Sequence, residues 1–176
     1  GRSSTYLQKS QQEMIEDLGM AKDDGEGLKP TTTGLLFIGS DQALKELPYS
    51  EITYNRYYDD GTYDTHIYKG NIIEIAQNCF AQLKSEIRRK EFRFGLFREY
   101  VDDYSETVIR ESFINALAHR DYSRQQIIEI RKYPTYLEIE SPGPFPEGIN
   151  SNNFLRKTNA RNPNIMDILR EIGLAE

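Results

Sequence analysis

Apolar residues recur in this chain with two rhythms, a helical one and a strand one, and the switches between them lay out its elements. Tyr6, Leu7, Met14, Ile15 and Leu18 fall near helical spacing, and Gly19 offers a stop, which predicts a first helix. A polar turn over residues 22–27 follows. Pro30, Thr31, Thr32 and Thr33 then supply helix-starting residues ahead of the apolar run 35–38. A short buried helix is expected there, and periodicity alone leaves a strand open. On either side of Asp59-Asp60-Gly61, residues 49–58 and 62–69 are rich in β-branched and aromatic side chains, which marks a hairpin.

Asn71 is placed to cap a long helix carrying Ile72, Ile75, Ala76, Phe80, Leu83 and Ile87. Its far end, Arg88-Arg89-Lys90, is cationic where a helix dipole favours positive charge. Residues 92–100 read as extended, and Ser105 as the cap of a helix leading to Arg120. A second hairpin is expected from residues 127–131 and 136–140 around Tyr133-Pro134-Thr135. Pro142, Pro144 and Pro146 with Gly143 and Gly148 impose an irregular loop, after which Asn162, Pro163 and Gly173 bracket a last helix. The order predicts an α+β fold, an antiparallel sheet covered by helices. Residues 1–48 read as a helical lead-in from an upstream domain and residues 49–176 as the main domain.

Composition removes several function classes. One cysteine, Cys79, forbids an internal disulfide, and with only His66 and His119 beside it no zinc-ligand spacing can be written. A net charge of −6 argues against attraction of the whole surface to nucleic acid and leaves only local patches. The apolar runs fall far short of the ~20 residues that span a bilayer. No charged-then-apolar leader opens the sequence, so a cytoplasmic protein with no membrane partner is expected.

Candidate chemistry concentrates in residues 110–122, because Glu111, Asn115 and His119 are spaced by four and share one side of the helix. Ile109, Phe113, Ala116 and Leu117 lie roughly opposite, and Ile114 and Ala118 flank the polar stripe. A helix apolar nearly all round tends to be buried, and a buried carboxylate and amide need partners, a ligand, a metal or water. Together they suit Mg²⁺ held through oxygen, or a water being oriented. A solvated or salt-bridged face explains the same spacing without any ligand.

Residues 110–122, the run Glu138-Ile139-Glu140-Ser141-Pro142-Gly143, and Asn159-Ala160-Arg161-Asn162-Pro163 with Leu169, Gly173 and Leu174 resemble the RecG-C-terminal-like domain of bacterial AlbA-plus-helix-turn-helix transcriptional regulators. Thr33-Gly34-Leu35-Leu36-Phe37-Ile38-Gly39 is similar to an upstream motif of that family, so the resemblance spans nearly the whole chain. It implies descent from the GHKL ATPases, the superfamily of gyrase, MutL and histidine kinases, and a Bergerat-like two-layer sandwich in the C-terminal part. By the resemblance Glu111 activates water and Asn115 binds Mg²⁺ with ATP. His119, Arg120, Ser141, Gly143 and Gly148 would then complete a nucleotide pocket. Ser141-Pro142-Gly143 stands where the superfamily has an adenine-reading aspartate, and a second glycine-rich motif is expected only beyond Glu176. At most a weak ATPase of the intact protein is therefore expected, with little or no nucleotide binding by this chain alone and DNA contacted through neighbouring domains.

Other readings fail on missing parts. His119-Arg120-Asp121 spells a kinase triplet, but Gln126 sits where a metal-binding asparagine belongs, and no glycine-rich loop accompanies it. A helicase requires a phosphate loop ending in Gly-Lys-Ser or Gly-Lys-Thr, and none is written here. Cys79 falls in an apolar helix, the setting of an inert thiol. The cations Arg88, Arg89, Lys90 and Arg93, interleaved with Phe92, Phe94 and Phe97, could meet nucleic acid or a protein partner. Glu86, Glu91 and Glu99 dilute their field, and simple solubilisation of the surface remains the alternative. The rival to a nucleotide-binding domain is a non-catalytic scaffold that joins neighbouring domains or forms a homo-oligomer.

Overall fold

Helix starts in the computed structural model, which describes residues 9–145, 148–149, 152 and 160–175, are set by short polar side chains. Ser10 and Glu13 close a reciprocal box at the start of α1 (Gln11–Asp17), each satisfying a backbone N–H of the other. Gly19, at φ +65°, turns the chain away from that helix; the Tyr6 and Leu7 part of the expected helix lies outside the described residues. The polar turn that follows is the tip of a small hairpin, β1 (Ala21–Asp23) against β2 (Leu28–Pro30). Thr31 accepts from the Gly34 N–H and opens α2 (Thr32–Ile38), so the apolar run is helical rather than a strand. Ser40 caps a further single turn, α3 (Asp41–Leu44).

The expected first long hairpin forms as β3 (Ile52–Tyr57) and β4 (Tyr63–Tyr68), with Gly61 at φ +84° in the turn. Asn71 accepts from the Ile73 and Glu74 N–H groups and starts α4 (Ile72–Ser85). Arg89 and Lys90 do not extend that helix. They begin β5 (Arg89–Phe94), which folds back at Gly95, φ +61°, onto β6 (Phe97–Asp102), so the single extended stretch is in fact a hairpin. Ser105 caps α5 (Glu106–His119), and β7 (Ile128–Lys132) pairs with β8 (Leu137–Glu140) as expected. The last helix, α6 (Pro163–Glu171), has its proline in the first turn and Gly173 beyond its end at φ +74°.

One pairing differs from expectation. The sheet runs β4-β3-β7-β8, and its central pair, β3 with β7, is parallel from Ile52↔Ile128 to Arg56↔Lys132. The sheet is therefore mixed rather than antiparallel. Physically, α4, the β5–β6 hairpin and α5 form a crossover long enough to return the chain in the same direction, which no tight turn could do. Ile52, Tyr54, Ile128 and Ile130 of this central pair are essentially inaccessible, whereas β4 is exposed along nearly its whole length.

Those four residues join Ile75, Cys79 and Leu83 of α4, Phe113 and Leu117 of α5, and Ile165 and Leu169 of α6 in one hydrophobic cluster. Met20, Leu36 and Phe37, N-terminal to residue 49, belong to the same cluster. Gly34 makes this docking close: a Cβ there would stand 1.9 Å from the Met20 carbonyl oxygen, which also accepts from the Thr31 N–H at 2.9 Å. The architecture is α+β. No helix among the described residues is long and apolar enough to cross a membrane.

Candidate functional site

Helix α5 buries Ile109, Phe113, Ile114, Ala116, Leu117 and Ala118. Glu111 and Asn115 are nevertheless exposed and His119 is half-buried, so the polar stripe does not carry the burial cost expected of it. The reason is the placement of α6, which covers α5 only in part. Between the two helices lies an open cavity of about 360 Å³. Glu111, Asn115 and His119 all line it from α5, and Arg170 and Met166 line it from α6. Thr107, four residues before Glu111, extends the same stripe, and the spacing that singles out Glu111 and Asn115 could have included it. Arg110, the first residue of the candidate segment, also lines the cavity, and its guanidinium donates to the Gly173 carbonyl at 2.6 Å.

The cavity is mixed in charge, since Glu111, Arg110 and Arg170 all line it, and the Arg170 guanidinium also pairs with Asp167 at 3.6 Å. Partial burial pushes the His119 imidazole below its ordinary pKa of 6.5, and the nearby Arg161 cation adds to that shift. Near neutral pH His119 is thus an uncharged donor and acceptor. Two oxygen-bearing groups one helical turn apart can contribute to holding Mg²⁺, but the ion needs more oxygen than they offer. Among the described residues no group of three or more His, Cys, Asp or Glu side chains could hold a metal ion. Any Mg²⁺ here would have to arrive with phosphate and water.

Other residues singled out in the sequence gather at the C-terminal end of α5 instead, where helix carbonyls lack partners of their own. Ser141 donates its hydroxyl to the Ala116 carbonyl at 2.8 Å, and Tyr122 donates to that of Leu117 at 3.0 Å. Asn162 donates to Ala118 at 2.9 Å and to Arg120 at 2.7 Å. Asn162 therefore closes the end of α5 and makes no side-chain cap on α6, contrary to expectation. Ser141 does not line the cavity, and its hydroxyl proton is committed to the helix. Gly143, at φ +120°, lies so near Asp121 that a Cβ would come within 2.8 Å of the aspartate Cβ. Gly148, at φ +78°, does not line the cavity either.

Arg120 is the tie at this junction. It is 1% exposed, donates to the Tyr49 and Gln126 carbonyls (the latter at 2.6 Å), and lies 4.7 Å from the centre of the Tyr122 ring. It joins the end of α5 to the lead into β3 and to the loop before β7, and it lines a different cavity from that between α5 and α6. Asp121 accepts from the Ser123 hydroxyl at 2.6 Å, and that bond holds its carboxyl below the usual range. Ion pairs with Arg124 and Arg161 complete its surroundings.

The cations considered for nucleic acid do not form one field. Arg89 pairs with Asp102 at 2.9 Å, and Arg93 pairs with Glu91. Lys90 lies on the other face of the hairpin, and Arg88 lines a separate small cavity that also contains Glu86 and Lys132.

No family model and no curated protein matches the chain. Its fold is similar to that in the crystal structure of the DIP2311 protein from Corynebacterium diphtheriae, with a TM-score of 0.73 at 23% sequence identity. The likeness covers 99% of this chain and 35% of that one, so the chain spans about a third of that protein's length.

Proposed function

We propose that this chain is a sensing domain of a larger bacterial transcriptional regulator, a divergent GHKL-type sandwich related to the RecG-C-terminal-like domains, and that the cavity between α5 and α6 takes the phosphate end of a magnesium nucleotide. The observation that carries the proposal is the convergence of Glu111, Asn115 and His119 on one cavity, joined there by Arg110 and Arg170. Glu111 and Asn115 would hold the ion through their oxygens, and the bound ion would offset phosphate charge. The two guanidiniums suit phosphate oxygens. Glu111 is the group positioned to orient a water, which supports at most a weak ATPase in the intact protein. DNA would be contacted by neighbouring domains, with occupancy of the cavity as the signal.

The adenine end does not find Ser141, which lies outside the lining of the cavity. Nucleotide binding is therefore expected to be weak and indifferent to the base. Calorimetry with Mg-ATP and Mg-GTP should give similar dissociation constants above roughly 100 µM, corresponding to less than about 5.5 kcal/mol. Asn115→Ala should remove the signal for both. Silence at millimolar concentrations of either nucleotide, or binding that survives Asn115→Ala, would refute the reading. Micromolar affinity confined to ATP would show that the base is read after all.

A second reading, a scaffold or self-assembly module, is favoured by a different observation, the exposed hairpin β5–β6.

A further inference from the structure

Every residue of β5 and β6 is exposed, yet the hairpin is strongly two-faced. Residues opposite one another in an antiparallel pair share a face. The register Lys90↔Val101, Phe92↔Glu99 and Phe94↔Phe97 therefore puts Phe92, Phe94, Phe97 and Val101 together with Lys90 and Glu99. The other face carries Arg89, Glu91, Arg93, Arg98, Tyr100 and Asp102. Its charges are satisfied within it, through Arg89 with Asp102, Arg93 with Glu91, and Arg98 with Glu91 at 3.9 Å. On the apolar face Phe94 is 64% exposed, Phe97 79% and Leu96 at the tip 100%.

We propose that β5–β6 is a dimerisation arm, and that its apolar face packs on the same face of a second copy of this chain. Three observations select that occupant. An isolated two-stranded hairpin is marginal in water, and this one is closed at its own base by the Arg88 N–H, which donates to Asp103 at 2.8 Å, while every residue of both strands stays exposed. The apolar face carries one cation and one anion, Lys90 and Glu99, and neither forms an ion pair among the described residues. A two-fold pairing sets each Lys90 against the partner's Glu99, as a self-complementary interface requires. An aromatic side chain offers roughly 150–250 Å². At the exposures found, the face presents about 500 Å² per copy, and two copies reach the roughly 1,000 Å² that a specific interface clears. Nucleic acid fits this face poorly, because it would meet an anion for every cation.

Sedimentation velocity on the 176-residue chain without nucleotide, from about 10 to 200 µM, tests the arm separately from the cavity. A species of twice the chain mass is expected, growing with concentration. Phe94→Glu and Phe97→Glu should each return the mass to one copy while the far-ultraviolet circular dichroism stays that of the parent, whereas Arg93→Glu on the opposite face should leave the dimer intact. Lys90→Glu should raise the dissociation constant about five-fold, and Lys90→Glu with Glu99→Lys should restore it. A single-copy mass at every concentration overturns the proposal, as does a dimer that survives Phe94→Glu. A parent that stays at one copy and binds duplex DNA through Phe94 and Phe97 overturns it in favour of a nucleic-acid arm.

Discussion

Replacing Arg120 with alanine tests the junction at the end of α5. The side chain is 1% exposed and supplies donors to two backbone carbonyls, Tyr49 and Gln126, on two separate segments. Each carbonyl left unsatisfied costs about 1–3 kcal/mol, and the vacated volume adds a cavity cost. Against this, the substitution removes a buried cation whose Nε and Nη1 find no acceptor among the described residues, which returns part of the loss. The net expectation is about 3 kcal/mol of destabilisation, a large share of the stability of an ordinary domain. For a chain of this size it corresponds to a fall in Tm of about 6–12 °C. Arg120→Met, which keeps most of the volume and loses only the donors, should cost about half as much. Urea titration followed by circular dichroism measures both. An Arg120→Ala variant within about 0.5 kcal/mol of the parent, the range of surface substitutions, would show that the guanidinium is not a tie.

Gly34→Ala should lower the urea midpoint despite alanine's helix propensity advantage of about 1 kcal/mol, because the added methyl meets the Met20 carbonyl oxygen at 1.9 Å; an unchanged or raised midpoint would refute the close docking of α2. His119 has a folded pKa below its unfolded value of 6.5, so the unfolded chain binds the proton first. Its contribution is complete above pH 6.5 and is lost as pH falls toward the folded pKa, and His119→Gln should flatten the stability profile in that window. Burial pushes the Cys79 thiol up to about 12, so the native protein should resist a thiol reagent that labels it fully in urea, and rapid native labelling would contradict its placement in the core.

Much of the fold is legible in the sequence because its signals act over a few residues. Thr31, Asn71 and Ser105 reach N–H groups two or three positions on, and Gly61 turns its own hairpin. What escapes reading acts at a distance. The choice of β7 as the parallel partner of β3 depends on how the whole intervening crossover packs, and no local pattern records it. Ser141 and Asn162 look like loop and cap residues in their own neighbourhoods, yet each donates to carbonyls of α5 far back in the chain. The stripe of Glu111, Asn115 and His119 is legible in its spacing, but its exposure is decided by where α6 stops covering α5. The turn at Gly95 is hidden because charged side chains on both flanking strands blur the alternation that marks a hairpin.

The side-by-side union of β3 and β7 also bears on how the chain reaches its native state. Each outer hairpin can close within microseconds, but joining them requires the chain to bring together strands that sit on either side of α4, β5–β6 and α5. Until that late step, Ile52, Tyr54, Ile128 and Ile130 have no lasting shelter from solvent. The refolding chain should accordingly be most prone to aggregation before that union is made.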